Sequence, residues 1–427
     1  MQIHVVKPGD TLFNIAKEYN VPVDYVVNQN EIEPDENLVI GSSLVIPIKG
    51  SYHEVQLGES LYSISKQYGI MPEDILELNE ISDPRNIQIG DKLFIPPKVK
   101  YGIDVSAYLD YQISRDKAVD EIREAGDLLT YITMFNYRIN DDGTLVELDD
   151  QEGINESYNK KTVPLLVLTN IKDDQFSREF ATEILSDEKL QDKILDEAIK
   201  IMDEKGYLGL DFDFEYLGAE NKEKYVEFLK KARDKLKPKG YLLSAALAPK
   251  TSADQKGVLY EGHDYEAIGK IVDFIYVMTY EWGWSGGPPM AVAPINQVRK
   301  VMEYALTEVP NYKLMMGMPL YGYDWTLPYV KGGKWAKAIS PAKANELARK
   351  YNVEIQYDED AQSPYFNYTD EEGNEHEVWF EDARSVQAKF DLVKELVLKG
   401  FYYWVLGYDF PQNWLLIDEN FVVRKRI

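Results

Sequence analysis

The chain has 427 residues, 44% of them hydrophobic and 12% aromatic, enough for one large packed domain with smaller ones beside it. Its formal net charge of −26 argues against nucleic acid and anionic membrane surfaces as partners. It has no cysteine, and its four histidines (His4, His53, His263 and His376) are scattered, so disulfides and thiolate metal sites are excluded and neither a metal nor a cofactor is expected.

The start, MQIHVVKPGD, has no basic stretch, long apolar run or small-residue cleavage site, so no conventional secretory signal is expected. No segment approaches the run of about 18 apolar residues that a membrane span requires, so membrane insertion is not expected either.

The first hundred residues repeat at an offset of 49, the distance from His4 to His53. HVVKPGDTLFNIAKEYNVPVDYVVNQN aligns with HEVQLGESLYSISKQYGIMPEDILELN. Gly9 matches Gly58, Thr11 matches Ser60, Tyr19 matches Tyr68 and Asn30 matches Asn79. In each copy a short strand leads to a Gly turn, and Thr11 or Ser60 is placed to cap a helix. Leu12, Ile15, Ala16 and Tyr19 fall on one helical face. Pro22 and Pro72 stand at the start of a second helix, and SSLVIP or DKLFIP closes the unit as a strand. Two small separately folded βααβ domains are expected, at 1–48 and 51–97. Both resemble the lysin motif (LysM) over nearly their full length. That resemblance implies binding of N-acetylglucosamine-containing glycans such as peptidoglycan or chitin, and duplication would raise the effective concentration on a repeating polymer. Generic structural repeats in an interaction protein are the alternative.

The linkers IKGSY and PPKVKYG are short, and residues 101–427 read as one unit. Eight strands are predicted, at YGIDVSA, LLTYITMFNY, VPLLVLTN, YLGLDFDFE, YLLSAALAP, VDFIYVMTY, YKLMMGMPL and FYYWVLG. Several are almost continuously apolar, as strands buried on both faces are. Amphipathic stretches alternate with them, among them DKILDEAIKIMDEKG and KEKYVEFLKKARDKLKPKG, both with Lys-Gly at the C-terminus. The pattern predicts an α/β fold, a (β/α)8 TIM barrel. A doubly wound sheet is the competitor, and it lacks the Gly-rich phosphate turn it would usually carry after the first strand. Between the seventh and eighth strands, at about 326–378, the sequence predicts a small α+β insertion. Ser340 and Pro341 open a helix there and DEEGN makes a hairpin turn.

The fourth strand carries the most informative pattern. In LGLDFDFEYL, Asp211, Asp213 and Glu215 alternate with Leu210, Phe212 and Phe214, so the three carboxylates share the lumen side. Close carboxylates in a buried place raise one another's pKa, which is what a general acid near neutrality needs. A divalent metal site or a structural ion-pair network would use the same residue types, but no basic residue lies within the strand to neutralise the cluster.

LGLDFDFE resembles the Asp-Gly-x-Asp-x-Asp-x-Glu signature of glycoside hydrolase family 18, the chitinase-like barrel enzymes. MTYEWG, MMGMPLYGYDW, VWFEDARSVQAK and FYYWVLGYD follow in the family's order. The resemblance implies that Glu215 is the catalytic acid, that Asp213 orients the substrate's 2-acetamido group, and that Asp211 tunes Asp213. It also implies that Tyr280 hydrogen-bonds the acetamido carbonyl and that Trp404 is the aromatic floor of the cleavage site. Three departures stand out. Leu208 replaces the first aspartate of the signature, removing on this reading the deepest hydrogen bond of the carboxylate series. Phe214 replaces the common tryptophan, and Glu281 follows Tyr280 where the family often has aspartate, which is expected to retune a subsite.

Residues at the C-terminal ends of barrel strands are further candidates for the mouth: Asn136, Tyr137, Asn170, Glu281, Trp282, Trp284, Tyr321, Tyr323, Asp324 and Trp325, with Asp409 and Trp414 beyond. Core packing is the competing reading of each. Two lysin motifs before such a barrel resemble the enzymes that degrade spore cortex in endospore-forming bacteria. That implies a retaining N-acetylglucosaminidase acting on cortex peptidoglycan during germination, placed in the coat and cortex region and working as a monomer. A chitinase, or a peptidoglycan-binding protein that has lost catalysis, is the alternative.

Overall fold

The computed structural model describes all residues except Pro34, Asp35, Glu36 and Lys98, the last of which falls in the expected linker PPKVKYG. The first hundred residues build one unit twice. Strand Gln2–Val5 pairs antiparallel with Ser43–Ile46, with helices Leu12–Glu18 and Val23–Asn30 between them. Strand Ser51–Glu54 pairs with Lys92–Ile95 around helices Leu61–Tyr68 and Pro72–Leu78.

The matched residues do matched work. Thr11 and Ser60 accept from the N–H of Asn14 and Ser63, at 3.1 and 3.2 Å. His4 bridges Asp10 and Tyr19, each at 3.0 Å, and His53 bridges Glu59 at 2.7 Å and Tyr68 at 3.0 Å. The side-chain amide of Asn30 pairs with both the N–H and the carbonyl of Val45, at 2.7 and 2.9 Å. Asn79 does the same to Phe94, at 2.6 and 2.8 Å.

Their surroundings differ. Gly41 and Gly90 close equivalent left-handed turns, with φ of +82° and +90°. A side-chain carbon on Gly41 would lie 1.8 Å from the Ile355 carbonyl oxygen, whereas nothing lies within 4 Å of that position at Gly90. Around Gly41 the first copy is bound to the large domain. The Ile355 N–H donates to the Ile40 carbonyl at 2.9 Å, Arg384 donates to the Gly41 carbonyl at 2.9 Å, and the Ala383 N–H donates to the Ser43 hydroxyl at 3.2 Å. Val45 even joins the core of the barrel. Each copy keeps a small apolar core of its own, but the first is a fixed part of a larger body.

In the large domain eight parallel strands pair in chain order: Tyr101–Asp110, Tyr131–Ile139, Val163–Thr169, Gly209–Asp213, Leu242–Leu247, Phe274–Val277, Leu314–Pro319 and Gly400–Trp404. The last closes on the first with Gly400 opposite Asp104, so the sheet is a barrel and the doubly wound alternative falls. All eight strands lie where the apolar runs predict them. The helices outside end as their sequences indicate. Glu188–Lys205, for instance, is capped at its start by the Asp187 carboxylate and stops at Gly206 with φ +90°.

The chain between the seventh and eighth strands forms a five-stranded antiparallel sheet with helix Pro341–Lys350. It begins at Gly322, earlier than the expected 326, because Gly322–Thr326 already pairs with Lys337–Ile339 and Glu375–Trp379. The DEEGN hairpin is present, with Asp370 accepting from the N–H groups of Glu372 and Asn374 at 2.9 and 2.8 Å. Among the described residues no helix is long and apolar enough to cross a membrane.

Candidate active site

The fourth strand has its apolar face against helix Lys222–Leu236. Phe212 meets Phe228 at 5.3 Å, and Phe214 stacks on Tyr225 at 5.8 Å. That fixes the alternate residues, Asp211, Asp213 and Glu215, on the lumen side. It also corrects the reading of Leu208. Position 208 has the parity of Leu210 and Phe212, its side chain packs against the apolar core, and so it takes no hydrogen bond away from the carboxylate series.

The three acids stand in three different environments. Asp211 is fully buried and accepts from the hydroxyls of Tyr108 and Ser244, both at 2.6 Å. Burial pushes its carboxyl up to about 6, and the two hydroxyls restrain the rise. Asp213 is also buried, but its Oδ1 has no hydrogen-bond partner. Burial, then the charges of Glu215 and Asp211, push it well above the usual carboxylate range. Glu215 is partly exposed, and burial followed by the nearby Glu281 carboxylate pushes it up to about 7. Glu215 is therefore a carboxyl able to hold and deliver a proton near neutral pH.

Thr169, directly opposite Asp213 on the third strand, has a second buried oxygen without a partner. Buried polar atoms are almost always hydrogen-bonded, and these two orphans lie side by side at the C-terminal end of neighbouring strands. Tyr280 stands over the same region, its hydroxyl 3.1 Å from that of Tyr402. Glu281 follows with φ +66° and accepts from Tyr321 and from Tyr323, the latter at 2.8 Å. Tyr216, just past Glu215, has φ +55°. Side chains other than glycine hold this left-handed conformation at a cost, and such positions gather at functional sites. A cavity of about 370 Å³ opens here, lined by Glu215, Tyr216, Tyr280, Glu281, Trp282 and Trp284. Trp404 lies partly exposed between Tyr108, at 5.4 Å, and Phe135, which meets it edge-on at 5.0 Å. Asn136 directly follows Phe135 and is largely buried.

Several sequence-predicted mouth residues are elsewhere. Tyr137 is fully buried and donates to Asp150 at 2.5 Å, with Lys205 donating to it at 3.1 Å, so it faces the helix layer. The strand register shifts between Met134 and Tyr137, so Tyr137 is opposite Leu168 and does not continue the face of Thr133. Asp324 sits in the insertion, where it accepts from Tyr368 and pairs with His376, each at 2.8 Å. Asn170 is fully buried and bonds to the backbone of Glu215 rather than facing the cavity. Tyr321 and Tyr323 are present as supports of Glu281. Trp325 is buried, with its indole N–H donated to the Gly287 carbonyl at 2.9 Å. Asp409 and Trp414 border a separate cleft of about 490 Å³, shared with Glu31 of the first lysin copy.

Sequence reasoning missed Tyr108, Ser244, Tyr402 and His263. Tyr108 lies one residue beyond the strand read at YGIDVSA, and Ser244 is a lone small polar residue in LLSAAL; both signals were there but weak.

A closed barrel with a row of raised-pKa carboxylates at the C-terminal end of a strand and aromatic rings beside them is an arrangement suited to glycoside hydrolysis. Residues 105–409 match the glycosyl hydrolases family 18, and the chain belongs to that family. Residues 4–47 and 53–96 each match the LysM domain. The chain is 53% identical over 431 residues to the cortical fragment-lytic enzyme of Bacillus subtilis (strain 168), covering 100% of this chain and 99% of that one. Among solved structures it resembles the spore cortex-lytic enzyme SleL of Bacillus megaterium QM B1551, at 44% identity and a TM-score of 0.89, covering 100% and 99% of the two chains. The SleL of Bacillus cereus aligns with a TM-score of 0.92 at 42% identity, covering 99% and 98%.

Proposed function

We propose that this glycoside hydrolase is a retaining, substrate-assisted N-acetylglucosaminidase that cuts the β-1,4 bond after N-acetylglucosamine in spore cortex peptidoglycan. The observation that carries the reading is the buried, unpartnered Asp213 Oδ1 between the hydroxyl-bound Asp211 and the proton-holding Glu215. An acetamido N–H of a bound sugar is a donor suited to that acceptor. With the amide held by Asp213 and Tyr280, its oxygen is next to the anomeric carbon and attacks it as Glu215 gives its proton to the departing glycosidic oxygen. The C–O bond of the linkage breaks and an oxazolinium ion forms. Glu215, now a carboxylate, takes a proton from the water that opens the ion, and the configuration is retained. No enzyme nucleophile is needed, which sets this family apart from the usual two-carboxylate scheme. An internal nucleophile also spares a bimolecular encounter. The similarity along the whole chain to enzymes named for cortex lysis supports cortex as the substrate. The two lysin copies would hold N-acetylglucosamine-containing glycan near the groove, in a protein of the spore that acts as a monomer.

The test is Glu215→Gln on purified cortex fragments. Turnover should fall by about 10²–10⁴-fold while binding to the insoluble polymer persists. Normal turnover by that variant would remove the assigned acid, and products of inverted anomeric configuration would remove the substrate-assisted route. Mass spectrometry of products from cortex and from chitin oligomers tests the substrate, since predominant chitin cleavage would replace cortex with chitin.

A further inference from the structure

The catalytic acid stands on backbone that has already left the sheet. On one side the ladder of the fourth strand ends with Asp213 opposite Thr169, and on the other with Phe212 opposite Ala245. Phe214, Glu215 and Tyr216 follow without strand partners, and Tyr216 turns into the left-handed region. Peptide groups in such a position need other partners if the side chain they carry is to stay in place.

Two fully buried side chains supply them. Asn170, just past the end of the third strand, accepts the Glu215 N–H on Oδ1 at 2.9 Å. Its Nδ2 donates to the Glu215 carbonyl at 2.8 Å and to the Ser177 carbonyl at 3.0 Å. His263 donates from Nε2 to the Phe214 carbonyl at 2.9 Å, and its Nδ1 accepts the Ala248 N–H at 2.9 Å. Those two partners fix the tautomer of the ring. The ring is neutral at working pH, because burial pushes its pKa down to about 4. The peptide groups on both sides of Glu215 are thus held by side chains from either flank, in place of a sheet ladder.

We infer that Asn170 and His263 are positioning residues of the hydrolysis. They hold the backbone of Glu215 so that its carboxyl stays within reach of the glycosidic oxygen. The inference rests on Glu215 being the acid. It deepens that reading by explaining how a residue outside the sheet keeps a fixed place. The same two-point amide grip recurs in the lysin copies, at Asn30 on Val45 and Asn79 on Phe94, where it stabilises a fold and no chemistry takes place. A grip that serves only the fold is therefore the competing account at Asn170, and the test has to separate the two.

Asn170→Ala, His263→Ala and His263→Gln would be assayed on purified cortex fragments beside the wild-type enzyme and Glu215→Gln, with melting curves for each. Displacing a reacting group by about an ångström can cost about 10²-fold in rate. Asn170→Ala is expected to lose kcat on that scale, with KM within about twofold, while remaining folded at the assay temperature. Its alkaline limb should move to lower pH, since a carboxyl freed toward water ionises more readily. His263→Gln keeps a donor for the Phe214 carbonyl and should recover most of what His263→Ala loses. If Asn170→Ala does not fold, the two His263 variants decide the matter by that rescue. A folded Asn170→Ala with kcat within about threefold of wild type and an unchanged pH profile would overturn the inference. So would equal losses in the two His263 variants that follow only the unfolded fraction. With Glu215→Gln inactive, either result removes the positioning role alone, whereas a normally active Glu215→Gln removes the acid assignment and this inference with it.

Discussion

Asp104 and Asp213 are buried acids in the same barrel, one at each end, and their surroundings drive their charges in opposite directions. At the N-terminal end Asp104 accepts from Lys399 at 2.7 Å, from Arg426 at 2.9 Å, from Tyr131 at 3.2 Å and from Arg424 at 3.3 Å. Burial pushes its carboxyl up, but Lys399 and Arg426 outweigh burial and hold it below the usual range. At the C-terminal end, among the described residues, no lysine or arginine pairs with Asp211, Asp213, Glu215 or Glu281, and all four are raised. Burial alone is therefore not what makes a carboxylate structural or catalytic; the cations placed beside it decide. One end of the barrel uses charge to fasten the C-terminal segment, and the other withholds counter-charges so that protons can move.

Exchanging either acid for its amide should separate these uses. Asp213→Asn is expected to lose turnover by about 10³-fold, because the electrostatic support for the developing positive charge is gone. Its stability should move the other way. A carboxyl whose folded pKa is raised above its unfolded value of about 3.9 costs the fold stability as pH rises from that value, and the full cost is present above the folded pKa. Melting temperatures should thus favour Asp213→Asn over wild type at alkaline pH and converge in acid. A variant that melted lower than wild type at alkaline pH would mean that the buried charge is compensated after all.

Asp104→Asn should give the opposite pair of results. Removing the anion leaves Lys399 largely buried beside two half-exposed arginines, at an expected cost of about 3 kcal/mol. For this lowered carboxyl the stabilisation is present above the unfolded value of about 3.9 and is lost as pH falls through the folded pKa, so the deficit should shrink in acid. Turnover per folded molecule should stay at the wild-type level. A loss of kcat in fully folded Asp104→Asn would show that the two ends of the barrel are coupled.

How far the sequence reveals each end follows from the range of the interactions involved. Asp211, Asp213 and Glu215 declare themselves because strand alternation is local, and the eight strands do so because each is a continuous apolar run. The Asp104 cluster is silent in the sequence, since its cations lie some three hundred residues away at the other end of the chain. The donors to Asp211 are hidden for the same reason, Tyr108 being separated from it by 103 residues. Tyr137 does lie near the end of its strand as read, but position at a strand end does not say which face a side chain takes, and a register shift after Met134 turns it outward. Asp324 was misplaced because Gly322–Thr326 opens a new sheet whose partner, His376, is 52 residues on. Asn170 was placed at the right end of the right strand, but its side chain turns to backbone instead of substrate, a choice that alternation does not register.

The smallest effect concerns Glu281, an acid at the same end of the barrel that follows the sixth strand, Phe274–Val277, rather than standing on the carboxylate strand. Glu281 is held by Tyr321 and Tyr323, and its charge is the second contributor, after burial, to the raised pKa of Glu215. As the proposed acid, Glu215 has to be protonated to act, so kcat should fall as pH rises through about 7. Glu281→Gln keeps an oxygen for the two tyrosine hydroxyls and removes the like charge, so Glu215 should ionise more readily. The alkaline limb should then move to lower pH by less than about one unit, costing a few-fold in kcat near neutrality and little below it. A limb that stayed in place would assign the raised pKa to burial alone. A limb that moved to higher pH would mean that Glu281 is itself protonated beside Glu215 and stabilises the ionised acid by a hydrogen bond, as a cation would. In that case the difference between the two ends of the barrel would rest on Asp211 and Asp213 only.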